Sequence, residues 1–369
     1  MTIHKILLNP HSPRHAMQHP IVYRTVPALS LAAALLCLFP FFARAAQQQP
    51  QKPASPAQAS SSMALPETNG NAHSVQSAQM DPRAREQDLG LKSPANSSLP
   101  SLILIGDSTV RNGHGRGDHN QWGWGKPIAA FFDPAKINVV NRAIGGLSSH
   151  SYIYEGHWDL ALEIVKPGDF VLIQFGHNDG GIQLPGTQPI PDQGLPPGAT
   201  PPTPPAGARP HGPNVRGSLP GIGDETYSVT DPRTGKLVTV HTYGWYLRKY
   251  IADVRARGAT PIICSLVPRK IWVNGHIRRN TDTYRGWARQ VAVQEHAGFV
   301  DLNEIIARRY DAMGSDAVDK LFGDPHTHTD WAGAVINAEA VISGLRGLPG
   351  DPLAPYLSAK GKTIAPYKP

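Results

Sequence analysis

From Leu102 onward, apolar residues arrive in short runs separated by longer stretches in which apolar and polar positions alternate at helical spacing. The runs at 102–105, 137–140, 170–175, 261–267 and 299–302 are rich in β-branched and aliphatic residues and apolar at successive positions. Successive side chains of a strand point to opposite faces, so a run that is apolar throughout is a strand covered on both faces. Five buried parallel strands are predicted. Helical patterns near 126–132, 157–165, 243–257, 284–295, 304–313 and 332–345 fall between and after them. Helices of that placement cover both faces of a parallel sheet, a doubly wound α/β layout.

Two other stretches carry no such pattern. Residues 46–98 are mainly Gln, Pro, Ser, Ala and Asn, too poor in large apolar side chains to offset the entropy of ordering them, and are predicted to be a disordered linker. After Asp179 the chain runs through 184–220 with twelve prolines before helical pattern resumes at Tyr243. This Pro-rich insertion, about 182–224, is expected to lie outside the core, either as a wall or lid over a cleft or as a surface excursion. The folded domain is then 99–369.

Residues 1–45 have a basic start, an apolar run from Val26 to Phe42, and Ala43-Arg44-Ala45 as a small-x-small cleavage site. They read as a signal peptide, and export to the periplasm or beyond is the expectation. The alternative of an uncleaved anchor suits the run less well, because it is short for a span and interrupted by Pro27 and Pro40. Cys37 lies within the apolar run without the small preceding residue of a lipidation site. Only Cys264 remains after cleavage, so the mature chain can form no internal disulfide and depends on its core.

The formal charge of +7 changes meaning with this processing. Lys5, Arg14, Arg24 and Arg44 leave with the first 45 residues, which hold no acid, and 31 basic face 28 acidic groups in the remainder. Such a mild excess does not point to nucleic acid. No Cys/His cluster suggests a structural metal, and no cofactor is expected.

In open parallel sheets, binding groups gather beyond the carboxyl ends of the strands. Four clusters fall there: Gly106-Asp107-Ser108-Thr109, Asn141-Arg142-Ala143-Ile144-Gly145-Gly146, Gly176-His177-Asn178-Asp179 and, after a last helix, Gly323-Asp324-Pro325-His326-Thr327-His328-Thr329. Each alone is also ordinary turn chemistry. Together they supply an acyl-transfer site: Ser108 as nucleophile, a C-terminal His as base and an Asp to fix its tautomer. The backbone N–H groups of Ser108 and Gly146, with the Asn178 amide, are candidate oxyanion donors.

These blocks, in this order, resemble the SGNH (GDSL-like) hydrolases. Ser108-Thr109-Val110, Asn141 to Ser149, Phe175 to Asp179, and His326-Thr327-His328-Thr329 with Ala332-Gly333-Ala334 narrow the resemblance to rhamnogalacturonan acetylesterases, over about 102–348. The resemblance implies a flavodoxin-like three-layer α/β/α fold with a five-stranded parallel sheet. It implies a serine esterase that works through an acyl-enzyme, with Ser108, Gly146, Asn178, Asp324 and His328 as its site. One block departs from the pattern. Family members place the Asp three residues before the catalytic His, where this chain has Pro325, with Asp324 four before His328 and two before His326. The spacing to Gly333 selects His328, and whether Asp324 serves His328 or His326 stays open.

The expected substrate is an acetylated plant cell-wall polysaccharide; an esterase or lipase for other acyl esters and a non-catalytic carbohydrate-binding relative are the competing readings. Trp122, Trp124, Trp158, Trp272 and Trp287 are candidates for a sugar-stacking platform, or else core. Arg269, Lys270, Arg278 and Arg279 follow the fourth strand and could hold uronate carboxylates, or form a solvated basic loop.

Overall fold

A computed structural model describes residues 81–181, 216–231 and 234–369. Its elements are helix α1 (Pro82–Asp88), strands β1 (Ser101–Gly106) and β2 (Asn138–Asn141), helices α2 (Ser149–Tyr154) and α3 (His157–Glu163), and strand β3 (Phe170–Gln174). The hairpin β4 (Thr226–Thr230) and β5 (Leu237–His241) follows, then α4 (Tyr243–Ala256), β6 (Thr260–Cys264), the two-residue strands β7 (Trp272–Val273) and β8 (His276–Ile277), and α5 (Tyr284–Gln294). Strand β9 (Gly298–Val300) precedes α6 (Leu302–Met313), α7 (Ser315–Asp319), α8 (Trp331–Arg346) and α9 (Ala359–Thr363).

The main sheet is all parallel with strand order β2-β1-β3-β6-β9, the flavodoxin-like winding. Each apolar run divides between two cores at period two. Leu102, Leu104, Phe170, Leu172, Ile262 and Cys264 face α6, α7 and α8, whereas Ile103, Ile105, Val171, Ile173 and Ile263 face α2, α3, α4 and α5. This makes three α/β/α layers, and it explains why the middle positions of the strands are apolar. Cys264 is a buried free thiol whose pKa burial pushes up.

Several expectations need correction. The stretch expected as a linker up to residue 98 folds at its end. Asp81 caps α1, accepting the Arg83 N–H, and Pro82 occupies the first helical position. Glu86 of α1 is buried and paired with Arg142 at the end of β2 and with His157. The polar composition hid this because the helix docks through an ion pair rather than an apolar stripe. Residues 127–131 form a 3₁₀ helix rather than an α-helix, and α2 precedes the expected helix at 157. The end of the Pro-rich insertion also joins the fold: Ser218 and Leu219 are buried, and Leu219 packs with Val238 and Val240 of β5. The expected signal peptide, the linker before residue 81 and the rest of the insertion lie outside the described residues. Among the described residues no helix is long and apolar enough to cross a membrane.

Candidate active site

The sheet ends at Gly106, where the chain turns sharply under Asp107. The N–H groups of Val110 and Arg111 both bond to the Asp107 carbonyl at 3.1 Å, and Asp107 Oδ1 accepts the N–H and hydroxyl of Thr109 at 2.9 and 2.7 Å. Burial raises the pKa of Asp107 and the Thr109 bonds oppose the rise. Gln174, at the end of β3, donates to the Thr109 hydroxyl at 2.7 Å and accepts from the Trp124 indole at 2.7 Å. This scaffold fixes Ser108 at the carboxyl end of the central strands, with 8% of its surface exposed.

The Ser108 hydroxyl lies 2.8 Å from His328 Nε2, and His328 Nδ1 lies 2.5 Å from Asp324 Oδ2. The four-residue spacing works because the chain curls around the carboxylate. Asp324 Oδ1 accepts the backbone N–H groups of His326, Thr327 and His328 at 3.0, 2.6 and 3.0 Å, which leaves Oδ2 for the imidazole. The Gly323 N–H closes the loop onto the His328 carbonyl at 2.9 Å. Burial would lift the Asp324 pKa, but the bonds from His328 and from the Thr327 and His328 backbone outweigh it and hold the carboxyl well below its usual range. An anion at Nδ1 selects the tautomer with its proton on that nitrogen, leaving Nε2 to accept from Ser108. His326 turns elsewhere: its Nδ1 lies 2.6 Å from the Thr327 hydroxyl, and Arg269 stands 3.5 Å away. Burial and the Arg269 charge lower its pKa.

Two glycines shape the opposite lip. Gly146 has φ +80°, a left-handed conformation that favours glycine, and open space where a Cβ would be. The close approach is at Gly145, where a Cβ would sit 3.3 Å from that of Ser108. The Asn178 amide donates to the Leu147 carbonyl at 3.0 Å, which holds it beside Gly146 with a second N–H to give. Asp179 behind it is fully buried and accepts from the N–H and hydroxyl of Ser149 and the hydroxyl of Ser218. Burial pushes its pKa up to about 6 despite those bonds.

Several of the candidate aromatic and basic side chains serve structure instead. Trp124 and Trp158 are core residues, Trp287 packs on Tyr243 and Tyr284, and Lys270 pairs with Asp319 at 2.8 Å. Arg279 bonds to Asp311 at 2.7 Å and approaches Glu304 at 3.5 Å. Arg269 ties two blocks together, donating to the Thr327 hydroxyl at 2.6 Å and the His177 carbonyl at 3.3 Å. Trp122, a candidate from the sequence, stands edge to face at 4.8 Å with Trp331, which is close in the chain to His328. Trp122 is joined to Thr329 by backbone bonding, and Trp331 is 46% exposed. Its position, three residues after His328 at the first turn of α8, was the available signal.

Comparison with known proteins identifies the family. Residues 104–335 match the model of the GDSL-like lipase/acylhydrolase family. A rhamnogalacturonan acetylesterase of Emericella nidulans is 29% identical over 254 residues, covering 68% of this chain and 88% of the relative. The Bacillus subtilis rhamnogalacturonan acetylesterase RhgT is 26% identical over 277 residues, covering 71% of this chain and 96% of the relative. The crystal structure of the Bacillus subtilis protein YxiM superposes with a TM-score of 0.47 at 21% identity over 67% of this chain, which spans 56% of that protein. The protein belongs to the GDSL-like lipase/acylhydrolase family, the SGNH hydrolases, and is a carboxylic ester hydrolase.

Proposed function

We propose that the protein is an exported carbohydrate O-acetylesterase that removes acetyl groups from rhamnogalacturonan or a related plant cell-wall polysaccharide. The observation that carries the reading is the line of contacts from Ser108 through His328 to Asp324, at 2.8 and 2.5 Å. The similarity to acetylesterases of rhamnogalacturonan supports the substrate class. The pattern of residues 1–45 supports export.

In this reading Ser108 Oγ attacks the acetyl carbonyl as His328 Nε2 takes its proton. Asp324 stabilises the imidazolium and keeps its orientation. The charge on the carbonyl oxygen is held by the backbone N–H groups of Ser108 and Gly146 and by the Asn178 amide, donors aimed before the charge develops. His328 then protonates the departing sugar oxygen, and water, deprotonated by the same imidazole, releases acetate from Ser108. The chain's own groups supply nucleophile, base and charge stabilisation, so the mechanism asks for no metal.

Acetate release from acetylated rhamnogalacturonan, xylan and mannan, set beside hydrolysis of long-chain acyl esters, tests the reading. The expected order places the pectic polymer first and long-chain esters last. Preference for long chains would replace the acetylesterase by a lipase. The absence of any turnover, together with no labelling of Ser108 by an organophosphonate, would leave a carbohydrate-binding relative.

A further inference from the structure

An open cleft of about 940 Å³ lies along the edge strand β2, outside the serine site's machinery. Its floor is the edge strand β2 with Ile137, one wall is the segment 88–95, and the other includes parts of the loop 111–126. The segment is strapped to β2 by reciprocal bonds, Asn138 Oδ1 accepting the Asn96 N–H at 3.0 Å and Asn138 Nδ2 donating to the Asn96 carbonyl at 2.8 Å. The cleft therefore exists only because the polar stretch after α1 folds back on the domain.

Its lining is cationic. Lys92, Arg111, Arg116 and Lys126 face a single carboxylate, Asp88, which already lies 3.7 Å from His114. Arg111 is only 8% exposed, and its guanidinium donates to the carbonyls of Gly113, His114 and Leu89, all neutral. A desolvated cation held by neutral acceptors keeps an uncompensated charge. Lys92, Arg116 and Lys126 are exposed side chains on opposite walls. Arg111 links the cleft to the serine turn: its side chain lines the cleft and its backbone N–H bonds to the carbonyl of Asp107, the residue before Ser108.

We infer that this cleft is a subsite for the carboxylates of an acidic polysaccharide, uronate residues that flank the acetylated sugar presented to Ser108. The inference rests on the polysaccharide reading above and narrows it. A neutral glycan gains nothing from four cations, whereas carboxylates repeated along a stiff chain meet Arg and Lys donors on both walls and from the buried end. Contacts of this kind bind remote parts of the substrate and hold the ester in register.

The test uses the full chain carrying Ser108→Ala and an unacetylated oligogalacturonide, with binding followed by calorimetry. Binding is expected, weakening as salt rises because the exposed charges are screened. Charge reversal at Arg116→Glu with Lys126→Glu is expected to weaken it by about tenfold or more, and Lys92→Glu on the facing wall to weaken it separately by about threefold. Melting temperature shows whether each variant is folded. No binding of the oligouronide, or binding indifferent to both sets of variants and to salt, overturns the inference. So does equal affinity for a neutral xylo-oligosaccharide, or affinity for a short DNA strand that matches the oligouronide's. Hydrolysis of a neutral aryl acetate by the unaltered protein reports on the esterase reading independently, so failure of the one is distinguishable from failure of the other.

Discussion

Asp324 meets His328 at 2.5 Å and Glu86 meets His157 at 3.1 Å, and in both pairs a carboxylate oxygen faces the imidazole Nδ1. The surroundings differ. The first pair has the Ser108 hydroxyl on its far nitrogen and an imidazole side chain 23% exposed; the second has the Arg142 guanidinium on the same carboxylate and an imidazole side chain only 1% exposed. A carboxylate and a histidine within hydrogen-bond reach therefore do not by themselves make a base. Reaction needs an accessible third group on Nε2, whereas burial with a guanidinium makes the same pair a fastener for α1.

The comparison breaks most visibly at Ser108. Ser108→Ala is expected to lower aryl acetate turnover by about 10⁴ or more with an unchanged melting temperature, since the loss is of one oxygen. Residual activity above about 1% would remove Ser108 from the mechanism. Next, His328→Ala should cost at least about 10³ in kcat, and His326→Ala less than about tenfold, with Asp324→Asn between them because Asn still receives the three backbone N–H groups but supplies no charge. The reverse order of the two histidines in steady-state kinetics would overturn the assignment.

At the other pair the expected loss is of stability. Glu86→Ala leaves Arg142 and His157 buried without their carboxylate, and should cost about 3 to 5 kcal/mol in denaturant unfolding, or expose residues 81–98 to protease first, while the folded fraction keeps its kcat. A kcat loss matching that of His328→Ala would erase the distinction. Asn178→Ala sharpens the kinetic side, with kcat reduced by about 10² to 10³ and KM changed less, as for a donor used mainly in the transition state.

The smallest effect is on pH dependence. Asp179, with its pKa pushed up to about 6 by burial, binds its proton more tightly in the folded state, so it contributes stability that is complete below the unfolded value of about 4 and lost as pH rises to about 6. Asp324, held low, has the opposite sign, contributing stability above about 4 that is lost as pH falls through its depressed value. Unfolding curves of Asp179→Asn should lack the decline between about pH 4 and 6 that the unaltered protein shows, on the order of 2 to 3 kcal/mol. A parallel pair of pH profiles would rule out Asp179 as its source.

The sheet and the carboxyl-end clusters were legible because both follow from local pattern. A strand buried on two faces reads as a near-continuous apolar run, and the turn residues that end it mark where binding groups gather. Ser108, Gly146 and Asn178 lie at those ends in the chain's own order. The docking of α1 was not legible, although Asp81-Pro82 is a sound helix start, because nothing local shows that Glu86 will find Arg142 56 residues away. For the same reason Trp124 and Arg279 passed as candidates for sugar and uronate: the partners that occupy them, Gln174 and Asp311, are remote in sequence.

What this sequence determined alone is therefore the period of its strands, the polar clusters at their ends and the candidate serine among them, all properties read within a few residues. The pairing of Asp324 with His328 rather than His326 belonged to the tertiary structure. Both lie within reach of Asp324 along the chain, and only the curl of backbone N–H groups around Oδ1 sends one imidazole to Ser108 and the other to Thr327. The basic cleft likewise required folding, since its cations come from segments that meet only when the strap 88–95 closes on β2. Electrostatic fields add over space, not along the chain.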